Sequence, residues 1–405
     1  LRLYSIDLKL FPVLKLPVYL DYNATTPCDQ QVVEAMLPYF TQHYGNAASR
    51  THLYGWQAAE AVDHAREQVA ALIGAEPKEI VFTSGATEAL NLAIKGVFDA
   101  WASKGNHIIT CVTEHKAVLD TCHRIEKLGG EVTYLPVNSE GLINIDELKA
   151  AIRPTTILVA IMYANNETGT IQPIREISSV VHQHGALFLT DATQAAGKIS
   201  VDVKADGIDL LAFSGHKLYG PKGVGALYVR RKHPRVTLTA QVDGGGHERG
   251  LRSGTLNVPG IAGFGKACEL CLAQMATESA RIANLRNKLE NALLQLEATQ
   301  VNGSVESRLP NVTNLSFRYV ESEALMMGFN KDIALSSGSA CTSASMEPSH
   351  VLKAMGLDDD TAHSSLRFSL GRYTTEEEID FVIERVTASV HKLRSLSPRW
   401  ELRLQ

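Results

Sequence analysis

Four short stretches of this chain combine residue types that have chemistry to offer. In Ala212-Phe213-Ser214-Gly215-His216-Lys217 an apolar run ends in a lysine, and the Gly/Pro-rich Leu218-Tyr219-Gly220-Pro221-Lys222-Gly223 follows. A lysine that attacks a carbonyl must be neutral, so it belongs at a dry strand end near cationic or aromatic groups. Ser214 and His216 flank Lys217 as candidate phosphate donors. A lone loop lysine is ordinarily a solvated surface charge; only the surrounding motif lifts Lys217 above that. Val81-Phe82-Thr83-Ser84-Gly85-Ala86-Thr87-Glu88 runs from strand through a small-residue turn into a helix. Such a turn surrounds an anion with backbone N–H groups at the positive end of the helix dipole. The plainer alternative is a simple connection with Thr87 near the N-cap.

Leu187-Phe188-Leu189-Thr190-Asp191 ends an apolar strand in a carboxylate, with the Gln194 amide three residues on. A carboxylate there is costly unless paired. A protonated pyridine nitrogen would pair it, and the pairing strengthens a pyridoxal cofactor as an electron sink; taken alone, Asp191 also reads as an N-cap. Cys341 lies in Ser336-Ser337-Gly338-Ser339-Ala340-Cys341-Thr342-Ser343-Ala344-Ser345, which has no apolar pattern to bury it. A flexible, hydroxyl-rich loop suits a thiol that must travel, and the nucleophile would be its thiolate. An inert loop cysteine is the alternative. Cys268 and Cys271 have a metal-like spacing but sit in a helical pattern without a second ligand pair, so they read as packing, because zinc needs four ligands or three and a water.

These residues need elements to hold them. Strands are expected at Ile80–Thr83, His107–Val112, Glu131–Leu135, Thr156–Met162, Leu187–Asp191, Leu210–Ser214 and Gly225–Val229. Helical patterns lie between them at Trp56–Ile73, Glu88–Ala102, His115–Lys127, Ile145–Ala151 and Ile174–His184. Strand–helix alternation implies an α/β fold with a mostly parallel sheet covered on both faces, and ligands in such folds sit at the carboxyl ends of strands. A long helix over Ala262–Glu297 then leaves the sheet, a strand follows within Pro310–Tyr319, and the last helix starts at the capping-box sequence Thr375-Glu376-Glu377-Glu378. The expected division is a large cofactor-binding domain over 28–262 and a small α+β domain from 1–27 and 263–405. The small domain carries a mobile cysteine loop at about 333–347.

Bulk properties narrow the partners. The chain has 405 residues, 45% hydrophobic and 20% charged, as a globular protein with a sizeable core has. Lys plus Arg number 39 against 44 Asp plus Glu, a net charge of -5 that gives no reason to expect nucleic acid or an anionic membrane. Six cysteines are too few for a disulfide scaffold and suit a reducing cytoplasm. No apolar run is long enough to span a membrane, and the first fifteen residues do not read as a secretory signal.

The Ser-Gly-His-Lys-Leu-Tyr-Gly-Pro-Lys-Gly stretch at 214–223 resembles that of the cysteine desulfurases, fold-type-I pyridoxal-phosphate enzymes of the class-V aminotransferase family. So do Thr-Ser-Gly-Ala-Thr-Glu at 83–88, Thr-Glu-His-Lys at 113–116, Asn-Asn-Glu-Thr-Gly at 165–169, Gly-Gly-Gly-His-Glu-Arg-Gly at 244–250, Arg-Ser-Gly-Thr at 252–255 and Ser-Ser-Gly-Ser-Ala-Cys-Thr-Ser at 336–343. The similarity runs from about Leu16 to Glu401 and looks closest to the housekeeping iron–sulfur type.

The resemblance implies pyridoxal 5'-phosphate bound covalently to Lys217, Asp191 on its ring nitrogen and Gln194 on its phenolic oxygen. It implies Ala86, Thr87, Ser214 and His216 on the phosphate, with Thr255 reaching the phosphate of the other subunit of a homodimer. His115 stacks on the ring and moves protons, Asn166 also contacts the cofactor, Asn166 and Arg367 hold the substrate carboxylate, and a guanidinium fork suits that task. L-cysteine becomes L-alanine while Cys341 keeps the sulfur as a persulfide. The sulfur then passes to an iron–sulfur scaffold protein, a tRNA-thiolation protein or another acceptor in a bacterial cytoplasm, the mitochondrial matrix being the second choice. No intrinsic metal is implied, although Cys341 could ligate a cluster transiently with a scaffold partner. The end at Gln405 lacks the tail with which close relatives dock a scaffold, which leaves scaffold docking open. Rival readings are an aminotransferase or selenocysteine lyase on the same fold, or a non-catalytic sulfur carrier.

Overall fold

The computed structural model describes residues 14–337 and 348–402. Its centre is a seven-stranded sheet. In chain order the strands of the molecule are β1 (Val18–Tyr19), β2 (Ile80–Thr83), β3 (His107–Cys111), β4 (Glu131–Leu135), β5 (Thr156–Ala160), β6 (Leu187–Asp191), β7 (Leu210–Ser214), β8 (Gly225–Val229), β9 (Thr299–Val301), β10 (Val312–Phe317), β11 (Ile333–Ala334) and β12 (Ser365–Ser369). The large sheet has the order β2-β8-β7-β6-β5-β3-β4. Only β8 runs against its neighbours, β2 and β7; the other pairs are parallel. The sheet is thus mixed and mostly parallel.

Alternate residues of these strands feed two apolar layers, which is why the runs read as nearly continuous hydrophobic sequence. Ile109, Val159, Phe188, Leu211 and Phe213 pack with helices Leu53–Leu72 and Ile174–Gln183 and with the start of Val258–Leu293. Ile108, Leu158, Leu187, Leu189 and Ala212 pack on the other face with helices Ala86–Ala100 and Lys116–Lys127. The Val258–Leu293 helix has 36 residues, roughly 54 Å at 1.5 Å per residue. Its first half belongs to the large sheet's core, and Ile282, Leu285, Leu289 and Leu293 belong to another. That other core packs an antiparallel sheet, β12-β10-β9, against Glu376–Ser395. Val18 and Leu20 also join it, and β1 pairs with β11.

This topology gathers the chain's active segments. β2 is antiparallel to β8, and β8 to β7, so the carboxyl ends of β2, β3, β5, β6 and β7 share one edge of the sheet. Gly225 begins β8 there. A Cβ on it would stand 2.6 Å from the Phe213 carbonyl oxygen and 2.7 Å from Gly85 Cα, so only glycine lets the three backbones meet. The cysteine pair of the long helix is packing: Cys268 and Cys271 are both buried in the core. Among the described residues no group of His, Cys, Asp and Glu could hold a metal ion, and no helix is long and apolar enough to cross a membrane.

Candidate active site

A 580 Å³ cavity opens at this edge of the sheet. It is lined by Ala86, Thr87, His115, Asn166, Asp191, Gln194, Ser214, His216, Lys217 and Arg367. All the site residues read from the sequence therefore meet in one place, apart from two. Thr255 is exposed and does not line the cavity. Cys341 lies outside the described residues.

One wall is the amino end of the Ala86–Ala100 helix. Its N-cap is Gly85, at φ 152°, with no side chain to cap the first turn. The opening N–H groups of a helix are unsatisfied by the helix itself, and here they face the cavity beside Ser214 and His216. Glu88 also lies at that end, but its carboxylate is already paired: it accepts from Ser84 N at 2.8 Å and from Arg252 Nε at 2.7 Å. Burial and the neighbouring Lys217 and Lys222 push His216 down to about 4, so its ring is neutral near pH 7. Its Nδ1 lies 3.1 Å from Thr25 Oγ1.

The floor comes from the next two strands. Asp191, the last residue of β6, is buried and accepts from Thr193 N at 2.9 Å. β7 ends at Ser214 and turns directly into a single 3-10 turn, Gly215–Lys217. Lys217 Nζ donates to the backbone carbonyls of Asn23 at 2.5 Å and Ala24 at 2.7 Å. The 21–26 segment carries no signal of its own in the sequence, yet it supplies the groups that hold this lysine.

On the far side His115 caps the Lys116–Lys127 helix, its Nδ1 accepting from Ala117 N at 3.1 Å. That bond fixes the tautomer, because a ring nitrogen that accepts carries no hydrogen and the proton of neutral His115 sits on Nε2. Arg367, in the middle of β12, is almost wholly buried. It donates to the Asn166 carbonyl at 3.0 Å and to Asp21 Oδ1 at 2.8 Å, while its Nε is buried without a hydrogen-bond partner among the described residues. A buried unsatisfied N–H is costly, and a carboxylate ligand would satisfy it.

The donor set fits pyridoxal phosphate. It offers an uncapped helix end for a dianion, a buried carboxylate for a cationic ring nitrogen, and a lysine held at the pocket wall. Both ends of the segment that carries Cys341 are tied to this pocket. Arg367 N donates to the Ser336 carbonyl at 2.9 Å. Ser349 Oγ donates to Glu167 Oε2 at 2.5 Å, and His350 Nε2 lies 3.1 Å from the Glu114 carbonyl. Glu114 and Glu167 directly adjoin His115 and Asn166.

The aminotransferase class-V family model matches residues 18–382. The cysteine desulfurase IscS of Actinobacillus succinogenes is 60% identical over 391 residues, which is 96% of this chain and 96% of that protein. Among solved structures, a NifS-like protein superposes with a TM-score of 0.87 at 37% identity, covering 93% of this chain and 100% of its own. SspA in complex with cysteine superposes with a TM-score of 0.78 at 38% identity, covering 88% of this chain and 100% of its own.

Proposed function

The chain belongs to the class-V aminotransferase family and is a cysteine desulfurase, and on that premise we propose that Lys217, His115 and Cys341 divide the cutting of L-cysteine among them. The cofactor is pyridoxal 5'-phosphate, which supplies an electron sink for the pair left at the substrate Cα. Ala86, Thr87, Ser214 and His216 hold its phosphate, Asp191 its ring nitrogen and Gln194 its phenolic oxygen. Lys217 would hold the cofactor covalently, and its amine, when free, would take the substrate Cα proton. Asn166 and Arg367 grip the substrate carboxylate, and the Arg367 Nε, without a hydrogen-bond partner among the described residues, supports this. His115 covers the ring and moves protons through Nε2.

The Cys341 thiolate attacks the substrate sulfur. The carbon–sulfur bond breaks and its electron pair stays with carbon, which is protonated to the methyl of L-alanine. The substrate sulfur remains as Cys341–S–SH, so cysteine plus enzyme thiol gives alanine plus enzyme persulfide. The persulfide then passes to protein acceptors, an iron–sulfur scaffold and a tRNA-thiolation protein among them. Neither nucleic acid nor membrane is a partner, and the compartment is the bacterial cytoplasm, where thiols stay reduced.

The active unit is a homodimer. Leu37, Phe40, Tyr44, Leu53, Tyr54 and Trp56 are large, exposed and close together in the chain, and apolar surface of that kind marks an interface. Exposed Thr255 is then free to complete the partner's phosphate site.

The observation that carries the reading is Lys217 at the sheet edge, facing an uncapped helix end and a buried carboxylate across one cavity. Alanine and persulfide formation from L-cysteine test it. The wild type should be yellow and should form both products. Lys217→Ala should lose the colour and the activity. Cys341→Ala should stay yellow and form no persulfide; persulfide at the wild-type rate in this variant overturns its role.

A further inference from the structure

An amide side chain has an oxygen on one side and an NH2 of nearly the same shape on the other. What it presents to a ligand therefore depends on what holds it from behind. Gln194 is held at both ends. Lys198 Nζ donates to its Oε1 at 2.6 Å, and its Nε2 donates to the Asn23 carbonyl at 3.0 Å. That carbonyl can only accept, and it also takes Lys217 Nζ. Lys198 in turn reaches Asn23 Oδ1 at 3.4 Å. Both anchors are themselves fixed. Asn23 N donates to Ser369 Oγ at 2.9 Å and its Nδ2 to the Asn166 carbonyl at 3.1 Å. Ser279 Oγ, on the long helix, donates to the Lys198 carbonyl at 2.6 Å.

We infer that Lys198 is a positioning residue: by binding Gln194 Oε1 it keeps an N–H, and not the amide oxygen, turned to the cofactor's phenolic oxygen. This rests on the reading of the cavity as a pyridoxal-phosphate site. A flipped amide would set its oxygen against the Asn23 carbonyl and its NH2 against the Lys198 amine. With Lys198 protonated it would lose both hydrogen bonds, and in either protonation state it would set two acceptors together at Asn23 and offer an acceptor to an oxygen that carries negative charge. Burial, and then the charges of Lys217 and Arg367, push Lys198 down to about 7. The amine has N–H to donate in either protonation state. The arrangement also joins two groups of the site, since the Asn23 carbonyl serves Gln194 and Lys217 together.

Lys198→Met keeps the length of the side chain and removes the donor. In the holoenzyme it should shift the visible band of the bound cofactor and the pH at which that band titrates. It should also lower kcat about tenfold, the scale of one hydrogen bond, with KM for L-cysteine changed less than about twofold. Gln194→Glu keeps an oxygen for Lys198 and removes the N–H, so it should reproduce the spectral shift. Lys198→Met added to Gln194→Leu should shift the band no further, because its effect passes through Gln194. A wild-type band in Lys198→Met, or an equal shift with and without Gln194, overturns the inference. Should Lys198→Met not fold, the Gln194→Glu spectrum decides, and a wild-type band there overturns it. A wild type that binds no pyridoxal phosphate sinks the reading of the pocket, whereas a coloured protein with spectrally silent variants sinks only the role of Lys198.

Discussion

Glu167 stands beside Asn166 with its carboxyl buried behind the cavity, and Ser349 Oγ donates to its Oε2. Burial raises it to about 7, against the lowering effects of the Ser349 bond and of Arg367. A carboxyl whose folded pKa is raised holds its proton in the native state after the unfolded chain has released it. Its contribution to stability is therefore complete below the ordinary carboxylate range and lost as pH rises from there through about 7. Glu167→Gln removes this dependence. Relative to wild type, the variant should gain up to ~3 kcal/mol between pH 5 and pH 8, measured by chemical denaturation at both pH values. A gap that stays constant would show that Glu167 is ionised in the folded protein. The Asn165–Gly169 motif was legible in the sequence, but the burial of Glu167 was not, since it depends on Ser349, 182 positions away. Asp191 was readable because it ends an apolar strand, and Lys217 because it closes the short turn that follows one. Lys198 and the Asn23 carbonyl were not, because the one looks like any loop lysine and the other is backbone.

Elements were read best where periodicity and capping agreed. The Glu376–Ser395 helix begins where its capping box predicts: Glu378 N donates to Thr375 Oγ1 at 3.2 Å, and Thr375 N donates to Glu378 Oε2 at 3.0 Å. Its buried face, Ile379, Val382, Val386 and Val390, roofs the small antiparallel sheet. Thr375→Ala should cost about 1 kcal/mol, read as a lower denaturation midpoint with the cofactor band unchanged; a changed band would mean that this cap also shapes the pocket. The strands of the large sheet lie where their apolar runs put them, though β3 and β5 stop short of Val112 and Met162. The long helix begins at Val258, four residues before the expected Ala262, with Asn257 as its cap. Helix Leu53–Leu72 starts earlier than the expected Trp56 because His52 caps it, its Nδ1 accepting from Gly55 N, and histidine is not among the residues that announce a cap. The two-residue strands β1 and β11 are too short to show any period.

At the scale of the molecule, the exposed side chains between Leu37 and Trp56 give the proposed dimer its test. Phe40→Glu with Leu53→Glu should halve the mass in sedimentation and weaken cofactor retention, because Thr255 then has no partner pocket to complete. A variant that stays dimeric would move the interface elsewhere. The sequence by itself determined the strand–helix alternation, the chemical types of the site residues and the family they resemble, because these depend on local pattern and residue chemistry. Tertiary structure decided the rest. β8 reverses against β2 and β7 through hydrogen bonds between distant segments. Arg367 comes from the small sheet to meet Asp21 and Asn166. The Asn23 carbonyl gathers Lys217 and Gln194 because the folded chain brings residues more than 170 positions apart within hydrogen-bond distance. Such contacts leave no mark in local composition, since each requires a partner whose sequence neighbours give no sign of it.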